Sequence, residues 1–305
     1  MSKAIKKQPF KKLKTLKKQI TPYNIVVGTI LLVYVLSLLV VLLWGGMTSL
    51  KTRNDFLDNL KIAFPKKLNF ENFSNALMKF SVEIEVGGGR GKVYLHEMFL
   101  NSLLYSIGCA FTATLIPCIA GYMTAKFNYK FSKIMTGVVI ITMIIPIVGS
   151  LPSEIRMAQR FGLYDNIWGL WIMRANFLGM YFLIFQKVFK NIPDDYTEAA
   201  QLDGASYFSV FLKIMLPLVK NTFLTVMLLK FVEHWNDYST PLVYLPSHPT
   251  AAVGLFYFSR STDPTIASVP MKMAGAMLLL LPILIIFIFL HDKLMGNISL
   301  GGIKG

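Results

Sequence analysis

The chain has 305 residues, 54% of them hydrophobic, and its mean hydropathy is +0.53. A soluble chain of that length has no need of so much apolar material, so the composition indicates an integral membrane protein. Basic residues outnumber acidic ones by 31 to 16. Eight of the lysines (Lys3, Lys6, Lys7, Lys11, Lys12, Lys14, Lys17 and Lys18) stand directly before the first apolar run. Positive charge flanking a span is retained on the cytoplasmic side and can meet anionic lipid, so the surplus reads as topology rather than nucleic-acid binding.

Residues 1–22 form this basic, cytoplasmic N-terminus. The uncharged run 25–44 has the length of a transmembrane helix and exceeds a signal-peptide core; only Gly45-Gly46-Met47 follows, with no small-x-small cleavage site, so it reads as a retained first span. Segment 45–97 is an outer loop long enough for a small folded excursion, with Phe56, Leu57, Leu60, Ile62 and Phe64 at mixed spacing and a glycine-rich turn at 87–92. That turn is not a phosphate loop: the pattern needs Gly and Ser/Thr where the chain has Val86 and Val93.

The second predicted span lies within 98–125, with Pro117 as a kink. It holds the two cysteines, Cys109 and Cys118, whose separation puts them on opposite helix faces, so they neither pair nor form a metal site. The loop 126–133 carries Lys126, Lys130 and Lys133 without an acid and is placed inside. Span three is 134–152 with Pro146, and span four is 167–186, interrupted by Arg174, which is expected to snorkel outward. Span five is 218–243 and span six 273–290, closed by His291-Asp292-Lys293. The loops 153–166 and 244–270 face out. The expected fold is therefore all-α and polytopic, a transmembrane domain over 23–297 with six transmembrane helices and both termini cytoplasmic.

Between spans four and five, 190–217 reads as helix, turn, helix. Pro193 with Asp194 and Asp195 suits a helix start. Gly204 is a stop, and a second helix over 206–215 is expected to end before Leu216-Pro217. The small Ala199 and Ala200 would let a partner approach closely. The spacing is Glu198-Ala199-Ala200, three residues, Gly204, nine residues, Ile214, one residue, Leu216-Pro217. Each fixed position of the EAA loop of ABC importer permeases is met.

From span one to the last residue the chain resembles carbohydrate ABC importer permeases, in particular the second permease subunit of the maltose-type system. Asn101-Ser102-Leu103, the segment from Tyr164 to Leu170, Asn191-Ile192-Pro193, Trp235-Asn236-Asp237 before Pro241-Leu242-Val243, and the ending Gly301-Gly302-Ile303-Lys304-Gly305 carry the likeness as an ordered set. The resemblance implies a type I importer architecture in a bacterial cytoplasmic membrane: two different permeases around a cavity, two ATPase subunits below and an extracellular solute-binding protein. ATP and Mg would belong to the ATPase subunits, with no cofactor in this chain. It implies ATPase coupling through Glu198, Ala199, Ala200, Asp203, Gly204, Ile214, Leu216 and Pro217, and a second coupling element in the tail 298–305 with Gly301, Gly302 and Lys304. The cargo implied is a sugar of two or more units.

Ionisable groups inside spans are functional candidates. Lys230, Glu233, His234, Asp237 and Pro241 fall on one face of a continuous span five. Glu233, His234, Trp235, Asn236, Asp237 and Tyr238 form a possible substrate pathway offering an aromatic platform and polyol hydrogen bonds; the alternative is that they pair with each other or hold a subunit interface. The sixteen methionines read as adaptable packing. No G-x-S-x-G, H-E-x-x-H or paired-cysteine pattern occurs, so the chain reads as a transport subunit without catalytic or metal residues. Other cargoes (glycerol phosphate, polyamine, amino acid), a stand-alone secondary transporter and a membrane scaffold are the competing readings.

Overall fold

A computed structural model describes residues 22–86, 89–127, 129–145 and 149–298, with the side chains of 86, 287 and 289–298 excepted. The basic N-terminus, Gly87, Gly88, Pro146 and the tail residues Gly301, Gly302 and Lys304 lie outside the described residues.

Helix α1 (Pro22–Ser49) is uncharged throughout and almost wholly uncovered by the rest of the chain. The outer excursion holds two short helices, α2 (Arg53–Asp58) and α3 (Glu71–Lys79), and an antiparallel hairpin of β1 (Ser81–Val86) and β2 (Gly89–Tyr94) in register from Ser81↔Tyr94 to Val86↔Gly89. The strands depart from the all-helical expectation. Their signal is the alternation Val82, Ile84, Val86 among polar residues, which is the period of a half-buried strand. Val82 and Val93 pair across the ladder and are both buried, in a cluster with Phe80, Met98, Phe258 and Ala274.

Helix α4 (Leu95–Lys126) is the central post: at 32 residues it runs about 48 Å from the hairpin to the far end of the molecule. It passes Pro117 without ending. One reason for its close packing is Gly108, where a Cβ would lie 1.7 Å from the Trp171 ring; the indole instead donates to the Leu104 carbonyl at 3.0 Å. Small residues at helix contacts of this kind are the usual device in a bilayer, where apolar burial gives little drive between helices. Cys109 and Cys118 are buried and free, and they sit in different clusters, as their spacing predicts.

Spans three to five are not the continuous helices expected. Helix α5 (Lys130–Ile144) stops at Ile145, which is extended (φ −85°, ψ 114°) as a residue before proline is; α6 (Leu151–Arg160) follows. Span four is α7 (Ile167–Met173), a linker closed by Gly179 (φ +127°), and α8 (Met180–Lys190). The expected second helix of the 190–217 loop does not end before Leu216-Pro217. Short α9 (Asp195–Leu202) and α10 (Tyr207–Val210) are followed by a π-helical turn, Phe211–Met215, and α11 (Leu216–Leu218). Leu216 stays helical (φ −63°, ψ −43°) and its N–H reaches back to the Phe211 carbonyl. The wider π turn gives the Pro217 ring room that a tighter ladder denies it.

After Val219 the chain bends by 77° into α12 (Lys220–Asn236). Span five then breaks at Asp237, and α13 (Ser239–Tyr244), α14 (Ala251–Arg260) and α15 (Val269–Ile298) complete the chain. Among the described residues α1, α4 and α15 are long and apolar enough to cross a membrane singly, and the bent pair Tyr207–Leu218 with Lys220–Asn236 makes a fourth if taken as one span. The count of six is thus not reached by length and composition, because proline, glycine and capping side chains divide the other spans. Helix α1 ends, and α4 and α15 begin, at the hairpin end of the molecule; the 190–217 loop stands at the other.

Candidate functional site

Two polar assemblies stand out, one at the far end of α4 and one where span five breaks. The first is the 190–217 loop. Asp194 flanks the start of α9 but its side chain caps nothing there; instead its carboxylate accepts from Lys126 Nζ at 2.7 Å. The same ammonium donates to the Ile192 carbonyl, and the Lys126 side chain is only 5% exposed. The last helical residue of α4 thereby holds the entry to the loop.

Helix α9 ends as its glycine predicts. Gly204 has φ +81°, its N–H bonds the Gln201 carbonyl at 3.0 Å, and the Ala205 N–H bonds the Ala200 carbonyl at 2.9 Å. This is a Schellman cap, and Ala200 and Ala205 both pack against the apolar cluster that includes Phe189 and Phe211. Ser206 then starts α10, its hydroxyl accepting from Ser209 N–H. The residues of the EAA spacing divide into two sets. Ala200, Ile214 and Leu216 pack onto a cluster built on Phe185, Phe189, Phe211 and Met215. Glu198, Ala199, Asp203, Gly204 and Pro217 are exposed. Glu198 lines a cleft with Lys126, Asp194, Thr197, Gln201 and Tyr207. Leu202 (89% exposed) and Phe208 (70%) flank the turn on either side and are uncovered by the described residues.

The second assembly centres on Asp237. Its carboxylate accepts from Tyr105 Oη at 3.0 Å, Ser239 Oγ at 2.9 Å and Thr240 N–H at 3.0 Å. Those local bonds replace helix ladder bonds, and Pro241 has no N–H to offer the Asp237 carbonyl, so the helix ends at Asn236. Asp237 and Pro241 therefore do not share a helix face with Lys230, Glu233 and His234. Arg174 does not snorkel outward: its guanidinium donates to Thr240 Oγ1 at 2.7 Å. The break supplies the partner that makes the inward position favourable.

Besides Asp237, the residues of the possible substrate pathway are placed in three environments. Glu233 and His234 line a small cavity with Arg174, Asn176, Tyr181 and Lys230. Lys230 donates to Glu233 at 2.8 Å and lies over the Tyr181 ring. Both ring nitrogens of the buried His234 lack a protein partner, and its ring meets Tyr105 edge-on. Trp235 is buried between Phe99 and Phe231. Asn236 is exposed but its amide donates back to the Val232 carbonyl; Tyr238 is exposed and stacks on Phe256. Lys126, Tyr105 and Thr240 have roles that sequence reasoning missed. Their partners lie 66 to 132 residues away in the chain, so no local pattern could reveal them. Among the described residues no cluster of potential metal ligands occurs.

The other segments of the ordered likeness fasten loops. Asn101 donates to the Pro249 carbonyl, and Ser102 Oγ accepts from Ala251 N–H at 2.7 Å. Asp165, with φ +55°, accepts from Ser247 N–H at 2.9 Å, while Asn166 caps α7.

Comparison with known proteins gives the same picture from outside the chain. The arabinooligosaccharides transport system permease protein AraQ of Bacillus subtilis (strain 168) is 25% identical over 79% of this chain and 81% of its own length. The melibiose/raffinose/stachyose import permease protein MelC of that organism is 25% identical over 85% and 88%. Its maltodextrin transport system permease protein MdxG is 28% identical over 68% and 75%. The fold matches, with a TM-score of 0.70 at 19% identity, a chain in the crystal structure of a bacterial ABC transporter involved in import of the acidic polysaccharide alginate; the match covers 92% of this chain and 99% of that one. Residues 114–298, which include the 190–217 loop and the break at Asp237, match the profile of the binding-protein-dependent transport system inner membrane component. The chain belongs to that family of membrane transport components.

Proposed function

We propose that this chain is a permease subunit of an ATP-driven importer of sugars, with oligosaccharides as the cargo. The protruding 190–217 loop carries the reading. It is a helix-turn-helix, fixed to α4 by Lys126, that exposes Leu202 and Phe208 beside its turn and Glu198 in the cleft next to Lys126. A loop so built suits transmission of force from another subunit, because its inner residues are locked while its outer ones await a partner. The sugar cargo is supported by the relatives, which are named for arabinooligosaccharides, raffinose-type sugars and maltodextrin.

In this proposal the chain pairs with a second, homologous permease, and each presents its loop to one of two ATPase subunits that hold ATP and Mg. An extracellular solute-binding protein delivers the sugar at the hairpin end. Both termini and the loop face the cytoplasm, in keeping with the Lys-rich start. ATP draws the ATPase subunits and the two loops together, the spans open outward, the sugar enters, and hydrolysis resets the inward-facing state. Each step is a population shift driven by differential binding.

The test is reconstitution of the assembly in liposomes with the loaded binding protein. Glu198→Ala and Gly204→Val are expected to lower ATP-driven sugar uptake at least tenfold per ATP hydrolysed, with the subunits still inserted and assembled. Wild-type uptake by both variants would remove the loop from the mechanism. Uptake that survives ATP depletion would point to a transporter working without an ATPase.

A further inference from the structure

The turn after α2 exposes large apolar side chains beside the end of α1. Residues 25–43 of α1 are uncharged and rise about 28 Å, the thickness of a hydrocarbon core, which puts Trp44 at its boundary. Tryptophan favours that level. The Trp44 indole donates to the Lys61 carbonyl at 3.1 Å, and the buried Lys51 ammonium donates to the same oxygen at 3.1 Å. The backbone at 61 is therefore not out in the solvent beyond α1; it has come back to the level where α1 leaves the hydrocarbon.

The turn is held by a backbone bond of its own and by Asp55 of α2. Ala63 N–H bonds the Leu60 carbonyl at 2.9 Å. Asp55 accepts from the Asn59 amide through one oxygen and from Lys66 N–H through the other. Around this frame Leu60 (76% exposed), Ile62 (76%) and Phe64 (85%) project into space that no other described residue fills. Lys61 stands between Leu60 and Ile62, Lys66 and Lys67 follow Phe64, and all three lysines are exposed. Apolar residues beside the end of an uncovered, membrane-length apolar helix, with long basic side chains next to them that can reach phosphates, match the chemistry of a phospholipid interface.

We propose that the 60–67 turn is a membrane-interface anchor, with Leu60, Ile62 and Phe64 seated in the outer headgroup layer and Lys61, Lys66 and Lys67 on lipid phosphates. It would pin the start of the outer excursion while the rest of that region stays free to meet other proteins. The surface is continuous with α1, whose apolar window has no buried residue within this chain. The inference rests on the membrane-spanning character of α1 and not on the transport reading.

The experiment uses the full chain, purified and reconstituted in phosphatidylcholine liposomes with and without phosphatidylglycerol. Ile62→Cys and, separately, Phe64→Cys carry an environment-sensitive fluorophore; the native Cys109 and Cys118 are buried and do not compete. Arg90→Cys on the exposed hairpin is the aqueous control. Headgroup-region spin-labelled lipid is expected to quench both turn labels severalfold more than the control, and aqueous iodide severalfold less. Replacing Lys61, Lys66 and Lys67 together by Gln is expected to remove any added quenching due to phosphatidylglycerol. Iodide quenching equal to the control's would overturn the anchor. Protection from iodide without quenching by lipid would also overturn it, and would assign the turn to a protein partner.

Discussion

Single residues carry two of the more exacting demands in this chain. Gly204 ends α9 at φ +81°, where a side chain costs about 1–2 kcal/mol. Gly204→Val is therefore expected to reset the angle between α9 and α10 without unfolding the spans, so that membrane yield is kept while uptake per ATP falls. Gly108 answers a packing demand instead. Its place against Trp171 leaves no room for a methyl group, and Gly108→Val is expected to cost several kcal/mol and to lower the Tm of the purified complex by several degrees. At Asp237 three donors converge on one carboxylate, each bond to a charged acceptor being worth about 1.5–3 kcal/mol. Asp237→Ala should lower the Tm, and restoration of the native value by Asp237→Asn would show that charge matters less than acceptor geometry. Of these positions Gly204 was legible from spacing and backbone chemistry. The role of Gly108 was not, since its reason is a ring 63 residues away.

Elements were legible where their cause is local and illegible where it is distant. Runs of uncharged residues announce α1, α4 and α15. The alternation in Val82, Ile84 and Val86 announces the hairpin, though the nearby glycines draw the eye first. The breaks in spans three to five are different. Proline and glycine mark candidate positions, yet Pro117 sits inside an unbroken α4 while span five breaks at Asp237 ahead of Pro241. What decides is whether neighbours re-satisfy the freed backbone groups, and here Tyr105 and the capping bonds of Asp237 favour the break. The tether between α4 and the 190–217 loop belongs to this scale as well. Lys126→Met removes the ammonium from both Asp194 and the Ile192 carbonyl. The expected result is faster hydrogen exchange across 191–205 and partial loss of coupling, with the exchange of α4 itself unchanged.

At the scale of the molecule, the arrangement separates an apolar α1 that the described residues leave uncovered, a central α4 and two differently built ends, a hairpin-and-helix cap and a protruding loop. Sidedness follows from the proposal and can be read directly. A cysteine at Phe208 in intact cells should be reached by a membrane-impermeant maleimide only after permeabilisation, and one at Arg90 before it; the reverse pattern would invert the topology. By itself the sequence determined that the chain is a membrane protein, where its longest helices lie, and that 190–217 is a capped helix-turn-helix with the EAA spacing. Those properties depend on residues within a few turns of each other, through hydropathy, glycine conformation and helix capping. Only the tertiary structure decided which EAA residues face inward, that Arg174 turns to Thr240, that Trp235 is core, and that the 60–67 turn returns to the level of Trp44. Each of those outcomes depends on a partner brought close by folding, and hydrogen bonding and packing between distant segments leave no periodic trace in the chain.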